Sequence, residues 1–193
     1  MKTSKQLLTS YVGDILAAEN HLLKAIEQQL SDEHVARQSV AHEFLRELRG
    51  TLQTHSFRLA ERLSALGGSL TANVKEAVTA ATGFAAGLFG RIRPQIASKF
   101  LRDDYVVLSA CAIEYEMLHV MALAMKEQPI ADMALQHLKE ITPLIVRLSD
   151  ILPGVVVQEL GEEVGDVATG SVLVARENTR RAWSNETVHS QHA

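Results

Sequence analysis

The chain has 193 residues, 47% of them apolar, a net charge of -4 and a single cysteine, Cys111. These figures suit one domain with a substantial core. They exclude an intrachain disulfide and a broad basic surface for nucleic acid, and a reducing, cytoplasmic setting is the expectation. The opening MKTSKQLLTS lacks a sustained apolar core and a small-residue cleavage site, so no secretory signal is expected. The longest uncharged stretch, Ala77 to Gly90, has 14 residues, fewer than the roughly 20 that span a bilayer, and no membrane span is expected. Only four prolines occur, and the long runs of Ala, Leu, Glu, Gln, Lys and Arg favour helix throughout.

The first predicted helix starts near Ser4 and carries the seam Leu8, Val12, Ile15, Leu22, Ile26 and Leu30, at helical spacing. The second carries Leu45, Leu48, Leu52, Leu59 and Leu66, and stops at Gly67-Gly68, where glycine fits a left-handed cap. A long connection from Ser69 to about Ser98 follows. It holds an Ala/Gly-rich helical piece, Val74 to Phe89, and the breaker Pro94. The third helix bears Phe100, Val107, Cys111, Leu118, Met121 and Met125. The fourth begins around Pro129 and bears Ile130, Ala134, Leu138, Ile141, Ile145 and Leu148. Pro143 inside it predicts a kink, and Pro153-Gly154 its end. A tail from Val155 is expected to hold one or two short helices, one ending near Trp183, before a frayed polar end. The expected fold is therefore all-α, one domain over residues 1–193, with a core bundle at about 4–152 and a tail at 153–193. It has two antiparallel helix pairs joined by a long crossover, the arrangement of ferritin-like four-helix bundles, with extra short helices.

Each seam is broken once by a polar residue: Glu19, His55, Glu114 and His137, in helix order. A buried unpaired charge costs several kcal/mol, so a residue of this kind in a seam needs a partner. Glu114 and His137 are centred on the turn before Pro129 and come out level in an antiparallel pair. Glu19 and His55 are centred on Arg37. A break at Ser31 would separate them by about 12 residues, or ~18 Å of helix rise. A break near Arg37 to Ser39, with Ser39 as N-cap, brings them level and is the one adopted, although Ser31-Asp32-Glu33 also reads as a helix start.

Three readings of the set remain open. The four residues hold one transition metal (iron, zinc or manganese). Or no metal is bound, and each Glu pairs with a His through hydrogen bonds. Or the seam phases are off and the side chains are exposed. No catalytic residue is assigned. Glu116 and His119 read as a solvated pair, Cys111 as core, and Met117, Met121 and Met125 as a core stripe. Gly83, Gly87 and Gly90 are too spread for a phosphate loop. The Val74–Phe89 piece, followed by Arg91 and Arg93, reads as a cover for the bundle or a contact with a second subunit, with a membrane-surface helix as the alternative. A homodimer is the expected partner state.

The stretch Asp14-Ile15-Leu16-Ala17-Ala18-Glu19-Asn20-His21-Leu22-Leu23-Lys24-Ala25 resembles the opening helix of the YciF-like, stress-associated bacterial family of the ferritin-like superfamily. Arg58 to Leu63, ending at Leu66-Gly67-Gly68, is similar to the end of that family's second helix. The resemblance covers roughly residues 5–150. It implies a four-helix bundle and a di-iron-like centre built from a lone Glu on two helices and Glu-x-x-His on the other two. Glu19 and Glu114 match the lone positions, and His55 and His137 the histidines. The paired glutamates are replaced by Leu52 and Ala134, which leaves no residue to bridge two metals. The expectation is thus a degenerate site, empty or mononuclear, in a non-enzymatic stress-related or structural protein. A metal-dependent oxidase and a dimerising interaction module are the alternatives.

Overall fold

The computed structural model describes residues 3–68 and 96–184, and every regular element among them is a helix. In chain order these are α1 (Ser4–Gln29), α2 (Glu33–Arg37), α3 (Ser39–Ala65), α4 (Ala97–Ala124), α5 (Gln128–Val164) and α6 (Ser171–Ser184). The expected helical piece at Val74–Phe89, the breaker Pro94, the three spread glycines and the polar end at 185–193 lie outside the described residues.

Local signals explain the ends. At the start of α1, Thr3 and Gln6 form a reciprocal capping box, each side chain bonding the other's backbone N–H. Both break signals between the first two long helices are used. The Asp32 side chain caps the single-turn α2, and α3 follows after Gln38. Ser39 is the first helical residue rather than the N-cap; Gln38 takes the cap position with no side-chain bond. α3 closes with a Schellman motif: Gly67 at φ +74°, its N–H on the Ser64 carbonyl and the Gly68 N–H on the Leu63 carbonyl. The same two bonds end α4, from Lys126 to Leu123 and from Glu127 to Ala122, with Lys126 at φ +59°.

α5 runs further than its sequence suggests. Pro143 and Pro153 both lie inside it, and the helix continues to Val164, stopping at Gly165. The inward residues Leu144, Ile145, Leu148, Ile151 and Val155 keep a buried face going past both prolines. That burial outweighs the hydrogen bond each proline forfeits. Pro143 and Lys139, whose carbonyl it releases, are both exposed, so water can satisfy that group. The tail therefore begins at Gly165 rather than Val155.

Two apolar clusters fix the direction of each long helix. One joins Leu22 and Ile26 to Phe44–Leu52, Leu101–Ala112 and Ile141–Val155. The other joins Leu8–Leu16 to Leu59 and Leu63, Tyr115–Ala122 and Ile130–Ala134. Hence α1 and α5 run one way and α3 and α4 the other, with α1 packed on α3 and α4 on α5. Since α3 and α4 are parallel, Gly68 and Ile96 lie at opposite ends of the helices, as a long crossover requires. By length and composition α4 is apolar enough to cross a bilayer, yet Leu101, Leu108, Cys111, Tyr115, Leu118 and Ala122 on one side of it are core. α6 lies against α5 with no buried residue.

Candidate functional site

Between the two apolar clusters lies one polar layer. Each long helix passes from one cluster to the other at a polar side chain: Glu19 on α1, His55 on α3, Tyr115 on α4 and His137 on α5, all fully buried. Their bonds form a chain. The Tyr115 hydroxyl donates to Glu19 Oε1 at 2.7 Å and lies 3.0 Å from His137 Nδ1. With its proton committed to Glu19, that hydroxyl accepts from His137 Nδ1–H. Glu19 Oε1 is also 3.0 Å from His55 Nδ1, and His55 Nε2 is 2.8 Å from Glu140 Oε2. Glu140, at the edge of the bundle, further accepts from Arg58 at 3.2 Å and from Gln136 at 2.6 Å.

The proton positions follow from these bonds. Glu140 titrates at about 2: partial burial raises its pKa, but hydrogen bonds from Gln136, His55 and Arg58 lower it further. It is a carboxylate, so His55 Nε2 must donate. One further proton then lies between His55 Nδ1 and Glu19, as an imidazolium–carboxylate or an imidazole–carboxylic acid pair. Burial, with repulsion from His55 and Arg58, lowers His137 to about 3, which keeps this ring neutral with a bare lone pair on Nε2. Burial and the neighbouring Glu19 push the Tyr115 hydroxyl well above its usual range, so it stays protonated.

Of the four residues singled out in the sequence, three are brought together: Glu19, His55 and His137. Glu114 is partly buried one residue along α4, where burial and the charges of Asp14 and Glu19 raise its carboxyl. Tyr115 takes the α4 position in the layer. Glu140 was also missed. Its signals were two i,i+3 spacings, His137-x-x-Glu140 and His55-x-x-Arg58, which put a carboxylate and a guanidinium one turn beyond the two histidines.

The arrangement bears on a metal through its donor atoms. Both nitrogens of His55 are engaged, so it can ligate an ion only by giving up a carboxylate. The His55 and His137 rings are stacked face to face, 3.9 Å apart and 4° from parallel. Imidazole lone pairs lie in the ring plane, so the two rings cannot aim at one ion as they stand. Leu52 and Ala134 are apolar and buried in the clusters on either side. Buried atoms without partners remain at Glu19 Oε2, Glu114 Oε2 and His137 Nε2, but among the described residues no three ligating side chains are placed to hold a metal ion. The residues present do not fit a metal centre in this arrangement.

A second buried polar pair joins α1 to α4. Gln29 Nε2 donates to Asp104 Oδ1 at 2.9 Å, while Gln29 Oε1 and Asp104 Oδ2 have no partner. Burial raises Asp104 to about 7; the Gln29 bond lowers it and the Asp103 charge adds to the rise.

The remaining candidates fall out simply. Cys111 is buried and its thiol pushed well up by burial and by Glu19 and Glu114. That removes it as a nucleophile. His119 binds the Ala131 carbonyl at 2.8 Å and Glu116 is exposed, so the two do not form a ligand pair. Met121 and Met125 pack partly against the core but Met117 is 44% exposed, so the methionines are not a core stripe.

No protein-family model, no curated protein and no solved structure matches this chain.

Proposed function

We propose that this is a ferritin-like four-helix bundle whose metal centre has been replaced by a hydrogen-bonded Glu–His–Tyr layer, and that the protein is non-enzymatic. The order and directions of the long helices support the ferritin-like reading: two antiparallel pairs, a parallel α3 and α4, and a long crossover. The observation that carries the functional reading is His55. Both its nitrogens are held by carboxylates, in the place where a metal-binding bundle needs a free lone pair. Leu52 and Ala134 support it, since they fill the positions of the missing bridging glutamates. The layer then has a structural role. A buried set bonded from helix to helix fixes the relative height of four helices, because a shift of one residue would break the Glu19–His55 and Tyr115–His137 bonds and leave those groups unpaired at a cost of several kcal/mol. A stress-associated role rests on the sequence resemblance, and a cytoplasmic setting on the single cysteine.

The test is elemental analysis of purified protein, followed by addition of Fe(II) under air. The expected result is well below one metal per chain and Fe(II) oxidation at the protein-free rate. Stoichiometric metal, or oxidation clearly above that rate, would overturn the proposal in favour of a metal-dependent oxidase.

A further inference from the structure

The outer side of α4 carries a second apolar row that the other described helices leave open. Val106, Ala110, Ile113, Met117, Val120 and Ala124 follow one another at steps of four, three, four, three and four. At that period one helix keeps the same face against another. Val106 is 37% exposed, Ile113 57%, Met117 44% and Val120 59%. Among the described residues the other bundle helices carry no such row. α1 exposes no large apolar side chain, and α3 exposes Val40 and Phe57, nearly five turns apart. α5 exposes Val146 alone between its first and last buried residues, Ile130 and Val155.

We infer that the chain's own crossover docks on this face, with residues 74–88 as a helix antiparallel to α4. The ends set the route. Gly68 and Ile96 lie at opposite ends of the bundle, so the chain between them must travel the length of α4, about 42 Å for its 28 residues, against its direction. The sequence of the crossover fits that route. Val74, Val78, Ala81, Ala85 and Leu88 follow one another at steps of four, three, four and three, the period of the α4 row. Laid antiparallel, Val74 faces Ala124, Val78 faces Val120, Ala81 faces Met117, Ala85 faces Ile113 and Leu88 faces Ala110. Large meets small at every level but the Val–Val one, which fills the space without crowding it. Sliding the segment one heptad either way sets Leu88 on Met117 or Ala81 on Ala110, a crowded level or an empty one. The lengths close as well. In this register Leu88 is level with Ala110, about 20 Å along α4 from Ala97. The chain from Leu88 to Ala97 reaches about 30 Å, which also covers the ~9 Å between packed helix axes. The chain from Gly68 to Val74 reaches about 20 Å across the end of the bundle. A second copy would have to hold to this patch by area alone. The crossover is tethered at both ends, and a tethered segment docks at an effective concentration on the order of millimolar without a large interface.

The test is disulfide formation in the full chain under mild oxidation, in a Cys111→Ala background. Ala81→Cys/Met117→Cys should close within one chain. Ala81→Cys/Ala110→Cys, one heptad out of register, and Ala81→Cys/Phe57→Cys, which probes α3, should each close at least tenfold more slowly. Hydrogen exchange gives a second reading without added cysteines. Amides of residues 78–88 in the parent should exchange at least tenfold more slowly than in an unstructured peptide of the same sequence. Ile113→Ser/Val120→Ser should remove that protection and leave α1, α3 and α5 protected, since both sites are mostly exposed. Unprotected amides in the parent, control pairs that close as fast as the first, or disulfides that form between copies instead of within one would overturn the inference.

Discussion

At Asp104 two bond-less atoms belong to one pair of side chains. Gln29 already donates to Oδ1, while Asp104 Oδ2 and Gln29 Oε1 are both buried acceptors without a donor, so a proton on Oδ2 removes a buried charge from this pair. The folded carboxyl titrates at about 7 against 3.8 for an unperturbed Asp. Between those values the folded chain keeps a proton that the unfolded chain has released. The proton's contribution is therefore fully present below about pH 4 and is lost as pH rises to 7, by on the order of 4 kcal/mol. His137 works the other way: its contribution is present above 6.5 and is lost as pH falls towards about 3. Replacing Asp104 with Asn isolates the first effect, since the amide oxygen keeps the bond from Gln29 Nε2 without a charge. Asp104→Asn should be more stable than the parent by about 1–3 kcal/mol at pH 8, with the gap closing by pH 5. Urea denaturation at the two pH values measures it. A gap independent of pH would show that Asp104 does not titrate in this window. At the same scale, the layer was legible where a polar residue broke an apolar seam, as at Glu19, His55 and His137. Tyr115 escaped that search because a tyrosine passes as apolar in a seam, and neighbouring helix positions differ by only 100°. Glu114 took its place in the reading, although the hydroxyl is the group that bridges α1 to α5.

Helix ends were readable wherever one residue dictates a backbone conformation. Gly67 and the turn before Pro129 are of that kind, and both closures are Schellman motifs. Interior prolines misled, because a local rule set α5 to end at Pro153 while the buried face through Ile151 and Val155 continues beyond it. Here tertiary burial exceeds the local penalty, and no local pattern states that balance. Lys126 marks a cap with the wrong residue: it holds φ +59°, a conformation glycine adopts without steric cost. Its side chain is exposed, so little packing is lost on removing it. Lys126→Gly should stabilise the protein by about 0.5–1 kcal/mol, read as a rise in the thermal midpoint without loss of helical signal. A fall would mean that the lysine side chain makes a compensating contact.

Across the whole molecule, stability is concentrated in the four long helices and thins out at α6. That helix buries no residue. It is held by Arg176 on the Asp150 carbonyl at 2.6 Å, by the exposed Arg180–Asp150 pair at 3.1 Å, and by Trp183 beside Tyr105. An exposed ion pair contributes at most about 1 kcal/mol, and an aromatic contact of this kind about 0.5–1.5 kcal/mol. Fixing fourteen helical residues costs conformational entropy in return. Both core clusters and the entire polar layer lie before Gly165. A chain ending at Gly165 should therefore fold with the same cooperativity as the parent, its midpoint within about 1–2 kcal/mol of full stability. Thermal melts of the truncated chain check this. A collapse of cooperativity would show that α6 completes the core.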